Sequence, residues 1–147
     1  MLEHDLVIVV CDAQRAHIYR NIGTAHSPDL AFVMGFEQKI QPSSQQGTDK
    51  PGTAFGSVLG QRSHMAETDY HRQREKLFAH DIVRALSDLH TQKKLEKFIL
   101  IAPPRMLALL RDNMPQSLKA IICAEFDKDL TKHPTDKIVD LVSSYRS

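Results

Sequence analysis

Tryptophan is absent from this sequence, cysteine occurs only twice, and aromatic residues make up 6% of the chain. So sparse an aromatic set supplies no stacking platform for single-stranded RNA. Two cysteines do not build the disulfide framework of a small secreted domain, and they leave no second metal-ligand pair. An excess of one charge is missing too: 19 Lys and Arg face 18 Asp and Glu, for a net charge of +1. That balance excludes a broadly cationic nucleic-acid coat and offers nothing for reading DNA sequence. No stretch approaches the ~18 apolar residues of a membrane span, and the opening Met1-Leu-Glu-His-Asp5 has no basic region of the signal-peptide kind. The expectation is a cytoplasmic protein without membrane contact. The phosphate-cradling P-loop, the dinucleotide glycine turn, the serine nucleophile elbow and the zinc-binding HExxH pattern are all missing, so no cofactor is expected.

What is present is an ordinary globular composition, 41% hydrophobic and 25% charged over 147 residues. A chain of this length folds as one domain, burying roughly 68–70% of its unfolded surface. Leu6–Cys11 (LVIVVC) is a continuous β-branched run, the pattern of a central strand buried on both faces. Ala16–Arg20 alternates like a partner strand, and Leu30–Lys39 offers a third, with a bulge expected at Gly35. Lys97–Ala102 reads as another buried strand stopped by Pro103-Pro104, and Leu118–Phe126 reads as the last. Both cysteines fall inside such runs, which marks Cys11 and Cys123 as buried structural thiols.

Helices fill the intervals. Phe78, Ile82, Leu86 and Leu89 form one apolar stripe in a helix expected over Arg72–His90. Pro104 suits the first position of a short helix ending near Asn113. Ile138, Leu141, Val142 and Tyr145 give a last helix, opening at Pro134, its docking face. The order βββ, loop, α, β, α, β, α is a single α/β domain over 1–147, a mixed sheet of about five strands with three helices.

One segment breaks the pattern. Gln41–His71 holds four glycines and two prolines with no sustained period, and reads as a long, mobile loop that is either functional or disordered. Charge is distributed around it. Residues 1–71 carry five basic and eight acidic side chains, and residues 72–97 carry seven and four. Lys50, Arg62, Arg72 and Arg74 are placed to meet phosphate on a glycine-bearing backbone. Two metal readings compete with this. His64, His71 and His80 stand among Glu67, Asp69 and Glu75, without the close i, i+4 histidine pair of zinc sites. Asp12, Glu125, Asp127 and Asp129 sit at strand ends, where carboxylates hold Mg²⁺ in nucleases but also start turns and cap helices.

Val9–Arg20 (VVCDAQRAHIYR), Ile101–Arg111 (IAPPRMLALLR) and Lys128–Thr131 (KDLT) together resemble the bacterial host-attachment proteins. Lys50-Pro-Gly52, Gly60-Gln-Arg62 and the helix containing Phe78 and Ala79 fall between them in matching order, so the likeness covers nearly the whole chain. That family is in turn similar to the middle domain of eukaryotic and archaeal class-1 release factors. The resemblance implies a ribonuclease-H-like α/β domain whose long loop, in release factors, carries Gly-Gly-Gln into the peptidyl transferase centre. Here the loop reads Val58-Leu59-Gly60-Gln61-Arg62, with Leu59 where the first glycine would be; leucine lacks glycine's easy access to positive φ. The candidate binding residues are Gly60, Gln61, Arg62, Arg72, Arg105, Lys128 and Asp129, with the ribosome or structured RNA as the expected partner. A peptidyl-tRNA hydrolase using Gln61, a Mg²⁺ nuclease using Asp12, and a factor for attachment to host cells are the alternatives.

Overall fold

The computed structural model describes residues 2–38 and 60–144, with 60–68 described as helical backbone only. The chain runs β1 (Val7–Cys11), β2 (Arg15–Asn21), β3 (Leu30–Glu37), α1 (Gly60–Thr91), β4 (Phe98–Ile101), α2 (Pro104–Asn113), α3 (Gln116–Lys119), β5 (Ile122–Phe126) and α4 (Thr135–Ser144). The five strands form one sheet in the order β3-β2-β1-β4-β5. β1 pairs antiparallel with β2 and parallel with β4, and β4 pairs parallel with β5. The expected single α/β domain with a five-stranded mixed sheet is the observed architecture.

β1 and β4 are buried along their whole lengths because the sheet is covered on both faces there. On one face Val7, Val9, Cys11, Phe98 and Leu100 pack against Phe78, Ile82 and Leu86 of α1, with Met106 and Leu110 of α2 and Leu118 of α3. On the other, Ile8, Val10, Ile99 and Ile101 pack against Ile138 and Val142 of α4. Each of these fully buried side chains contributes about 1.5–3 kcal/mol of transfer free energy.

Several local expectations need correction. Residues 60–71 are helix, not loop: α1 starts twelve residues ahead of Arg72. No proline or glycine follows Gly60 until the helix has ended, so nothing interrupts the backbone, although no apolar stripe announces it. The part of the expected loop before Gly60 lies outside the described residues, as does Lys39 at the expected end of β3. The last strand starts at Ile122, because Leu118 and Lys119 belong to α3, a fourth helix opened by Pro115. The irregularity in β3 is not at Gly35, which pairs with His17, but at Val33, the extra residue between the pairs Tyr19–Phe32 and Ile18–Met34. Cys123 is exposed rather than buried. It is the extra residue where the β4–β5 register jumps from Ile122 to Ala124, and a bulged residue on an edge strand is turned out of the ladder.

α1 ends in a paired 6→1 and 5→2 hydrogen-bond closure, Lys94 N–H to the Leu89 carbonyl at 2.9 Å and Lys93 N–H to the His90 carbonyl at 3.0 Å. Lys93 adopts φ 62° to make it, a conformation that glycine usually supplies at this position.

Candidate functional site

α1 is built in two halves. From Phe78 onward its buried residues Phe78, Ala79, Ile82, Val83 and Leu86 face the core. Before Phe78 none of the described side chains is buried: Arg74 and Glu75 are half-covered, while Arg72, Gln73, Lys76 and Leu77 are exposed. The 18 residues of Gly60–Leu77 rise about 27 Å at helical pitch. This segment, the arm, has its base by the carboxyl end of β4, since Arg105 just beyond that strand reaches Glu75. The opposite end of α1 lies by the strands' beginnings, where Arg20 donates to the Lys94 carbonyl at 2.9 Å and Val7 N–H to that of Lys97.

The base of the arm is tied down by side chains that sequence reasoning passed over. Arg105, in the first turn of α2, reaches Glu75 with Nε–Oε2 at 2.9 Å. The Arg74 guanidinium lies over the Tyr70 ring, 4.9 Å from its centroid, and donates to Gln38 Oε1 at 3.2 Å. Its Nε is buried with no hydrogen-bond partner. The Tyr70–Arg74 spacing of four residues was the available signal, since such pairs stack on one helix face. Phe78 then meets Phe36 of β3 edge-on, ring centroids 5.7 Å apart.

Seven residues were expected to form the site, and the structure does not gather them. Gly60, Gln61 and Arg62 form the first turn of α1 at the far end of the arm. Gln61 is fourteen residues from Glu75, about 21 Å along the helix. Arg72 is exposed on the arm itself. Arg105 is engaged at the arm's base, and Lys128 and Asp129 lie exposed beyond β5. Arg111 forms an ion pair with Glu125 across α2 and β5.

At the carboxyl edge of the sheet Asp12 closes the β1–β2 turn. Its Oδ1 accepts the Gln14 and Arg15 amides, each at 2.8 Å. Its Oδ2 accepts the Thr131 hydroxyl at 2.7 Å across 119 residues of sequence. Asp129 lies farther from that hydroxyl, at 3.3 Å, so the single Thr131 proton goes to Asp12. Burial by itself raises the Asp12 carboxyl; the Thr131 hydroxyl, the two amides and the Arg15 charge together outweigh it and hold it below the usual carboxylate value. Asp12 is thus engaged as a turn acceptor, and Glu125 as the partner of Arg111. Among the described residues no three His, Cys, Asp or Glu side chains converge on a cation position. Cys11, next to Asp12, is fully enclosed, and burial pushes its thiol well up.

The two motifs VVCDAQRAHIYR and KDLT therefore meet in space through Asp12 and Thr131, and IAPPR reaches α1 through Arg105. A family model described as "Protein required for attachment to host cells" matches residues 7–142. An uncharacterised protein of Rickettsia prowazekii (strain Madrid E) is 28% identical over 142 residues, covering 90% of this chain and 88% of the relative. Among the described residues no helix is long and apolar enough to cross a membrane.

Proposed function

The chain belongs to the family described as protein required for attachment to host cells, and from that premise we propose that it is a non-catalytic binding module whose α1 arm engages structured RNA, the ribosome foremost. One observation carries the reading: ahead of Phe78, none of the described side chains of the 32-residue helix, residues 69–77, is buried in the core. A polar helix of that kind is maintained at a cost unless something binds it, since isolated helices are marginal in water. The arm carries Arg62, Arg72, Arg74 and Lys76 against Glu67, Asp69 and Glu75, and Arg105 neutralises Glu75. The surplus is cationic and local, as a contact to phosphates by a nearly neutral protein must be.

About three phosphate contacts give a slope near −2.5 in log affinity against log salt, so binding weakens about 30-fold between about 50 and 200 mM salt. Co-sedimentation with ribosomes across that range tests it. Arg72→Ala with Lys76→Ala should lower binding at low salt and flatten the salt slope. Protein left wholly in the supernatant when ribosomes are pelleted at low salt would defeat the proposal.

The family's description favours a second reading, a role in attachment to host cells, direct or by way of another factor. Removal of the protein by protease treatment of intact cells would support direct attachment. The position of Gln61 at the arm's tip favours a release-factor-like variant of the first reading, in which Gly60-Gln61 reaches a peptidyl-tRNA ester. Hydrolysis of peptidyl-tRNA that is abolished in Gln61→Ala would establish it, and inactivity of the wild type would remove it.

A further inference from the structure

β3 is the longest strand of the sheet and one of its two edges. Its outward row of backbone N–H and C=O groups has no partner strand among the described residues. Proteins blunt such edges with lysine, proline, inward charge or short length, yet Leu30–Glu37 (LAFVMGFE) carries one charged side chain, at its very end. Three of the most exposed large apolar residues of the domain are consecutive here, Phe32 at 59%, Val33 at 42% and Met34 at 37%. By contrast β5, the other edge, has five residues and is broken by the bulge at Cys123.

We infer that β3 is a self-association edge, at which a second copy of this chain pairs antiparallel through Leu30–Glu37 about a twofold axis between Val33 and Met34. The sequence of the strand is complementary to itself in that register. Leu30 meets Glu37, Ala31 meets Phe36 and Phe32 meets Gly35, each pair taken from one face of the sheet as the β2–β3 register assigns them. The Phe32 ring already leans over its own Gly35, where an added Cβ would come within 2.8 Å of the ring. Val33, the extra residue in β3, stands near the extra residue of the other copy, so the new ladder needs no further irregularity. A net charge of +1 sets up little repulsion between copies, and the lone terminal glutamate of the strand makes it a poor match for nucleic acid. Closure by a twofold limits the assembly to two copies, leaving only the blunted β5 edges at the ends of a continuous sheet.

An eight-residue strand is about 27 Å long. With side chains of both faces it buries roughly 500 Å² per partner, near the lower limit for a specific interface. The dimer is therefore weak, with a dissociation constant of about 10 µM. Sedimentation velocity of the full chain from about 1 to 200 µM, with reductant present to suppress disulfides at Cys123, reads it directly. Wild type should shift from monomer to dimer across that range. Val33→Lys, at an already exposed position and checked for an unchanged melting transition, should raise the dissociation constant at least about tenfold. Amide exchange over residues 30–37 should slow as concentration rises. A wild-type chain that stays monomeric throughout overturns the inference. So does a dimer that Val33→Lys leaves intact, or open-ended oligomers in place of a dimer.

Discussion

Replacing Asp12 tests whether the carboxyl edge of the sheet is a structural tie or a free cluster of ligands. Asp12→Ala removes the acceptor for two amides and one hydroxyl. The amides sit in a turn that water reaches, so each loss costs about 0.5–1 kcal/mol, whereas the Thr131 hydroxyl is 7% exposed and its loss costs about 1–2 kcal/mol. Asp12→Ala is thus expected to destabilise by about 2–4 kcal/mol, and Thr131→Val by about 1–2 kcal/mol. The double mutant should show a coupling of about 1 kcal/mol, because both changes break one bond. Urea denaturation of the four proteins supplies the cycle. The pH dependence follows from the direction of the Asp12 shift. Its folded-state value lies below the unfolded one, so its contribution is complete above the ordinary carboxylate value and is lost as pH falls through the folded value. Asp12→Asn keeps a turn acceptor but has no carboxyl to titrate, so the wild-type advantage over it should shrink as pH is lowered from about 5 to 2. Additive single mutants, or an Asp12→Asn protein more stable than wild type at neutral pH, would refute the reasoning. The second result is what mutually repelling ligand carboxylates would give.

Further outcomes follow from the fold. Asn21, fully buried, donates to the Leu2 and Glu3 carbonyls at 3.0 Å and accepts the Gly23 and Asp29 amides at 3.0 and 2.9 Å; Asn21→Ala should cost about 3–5 kcal/mol in chemical denaturation and speed exchange of the Asp5 amide. Lys93→Gly relieves a left-handed lysine at the end of α1 and should raise stability by about 0.5–1 kcal/mol, seen as a higher melting temperature. A thiol reagent should label Cys123 in the native protein and Cys11 only on unfolding, since Cys11 is 0% exposed with its thiol pushed up by burial.

The strands of the buried centre were legible because their residues have no choice of face. LVIVVC and the FILIA run after Lys97 are apolar throughout, which only a strand covered on both sides requires. α2 and α4 were legible from Pro104 and from the i, i+3, i+4 stripe beginning at Ile138. The arm was not. Helical periodicity is the imprint of a buried face, and residues 60–77 have none, so the glycines and prolines upstream of Gly60 decided the reading. α3 was hidden because Leu118 leads almost directly into the apolar run Ala120–Ala124, and apolar content alone does not distinguish a helical turn from a strand. The bulges at Val33 and Cys123 are set by register with neighbouring strands, which no local pattern encodes. Of the candidate site, the Asp12 turn was legible as Asx chemistry, but its partner Thr131 lies 119 residues away. Arg105 was picked as a ligand group, and its ion pair with Glu75 was not legible, because Glu75 faces it from a helix whose position depends on the whole sheet.

Under the proposed function the α1 arm, and not the core half of the same helix, is the binding element. A photo-crosslinking residue placed at Arg72 or Lys76 in living cells, with exposed Asp88 on the core half as control, tests it most directly. Ribosomal RNA is expected to be attached at 72 and 76 and not at 88. Equal crosslinking at all three positions, or crosslinks from the arm only to cell-envelope or host proteins, would contradict it.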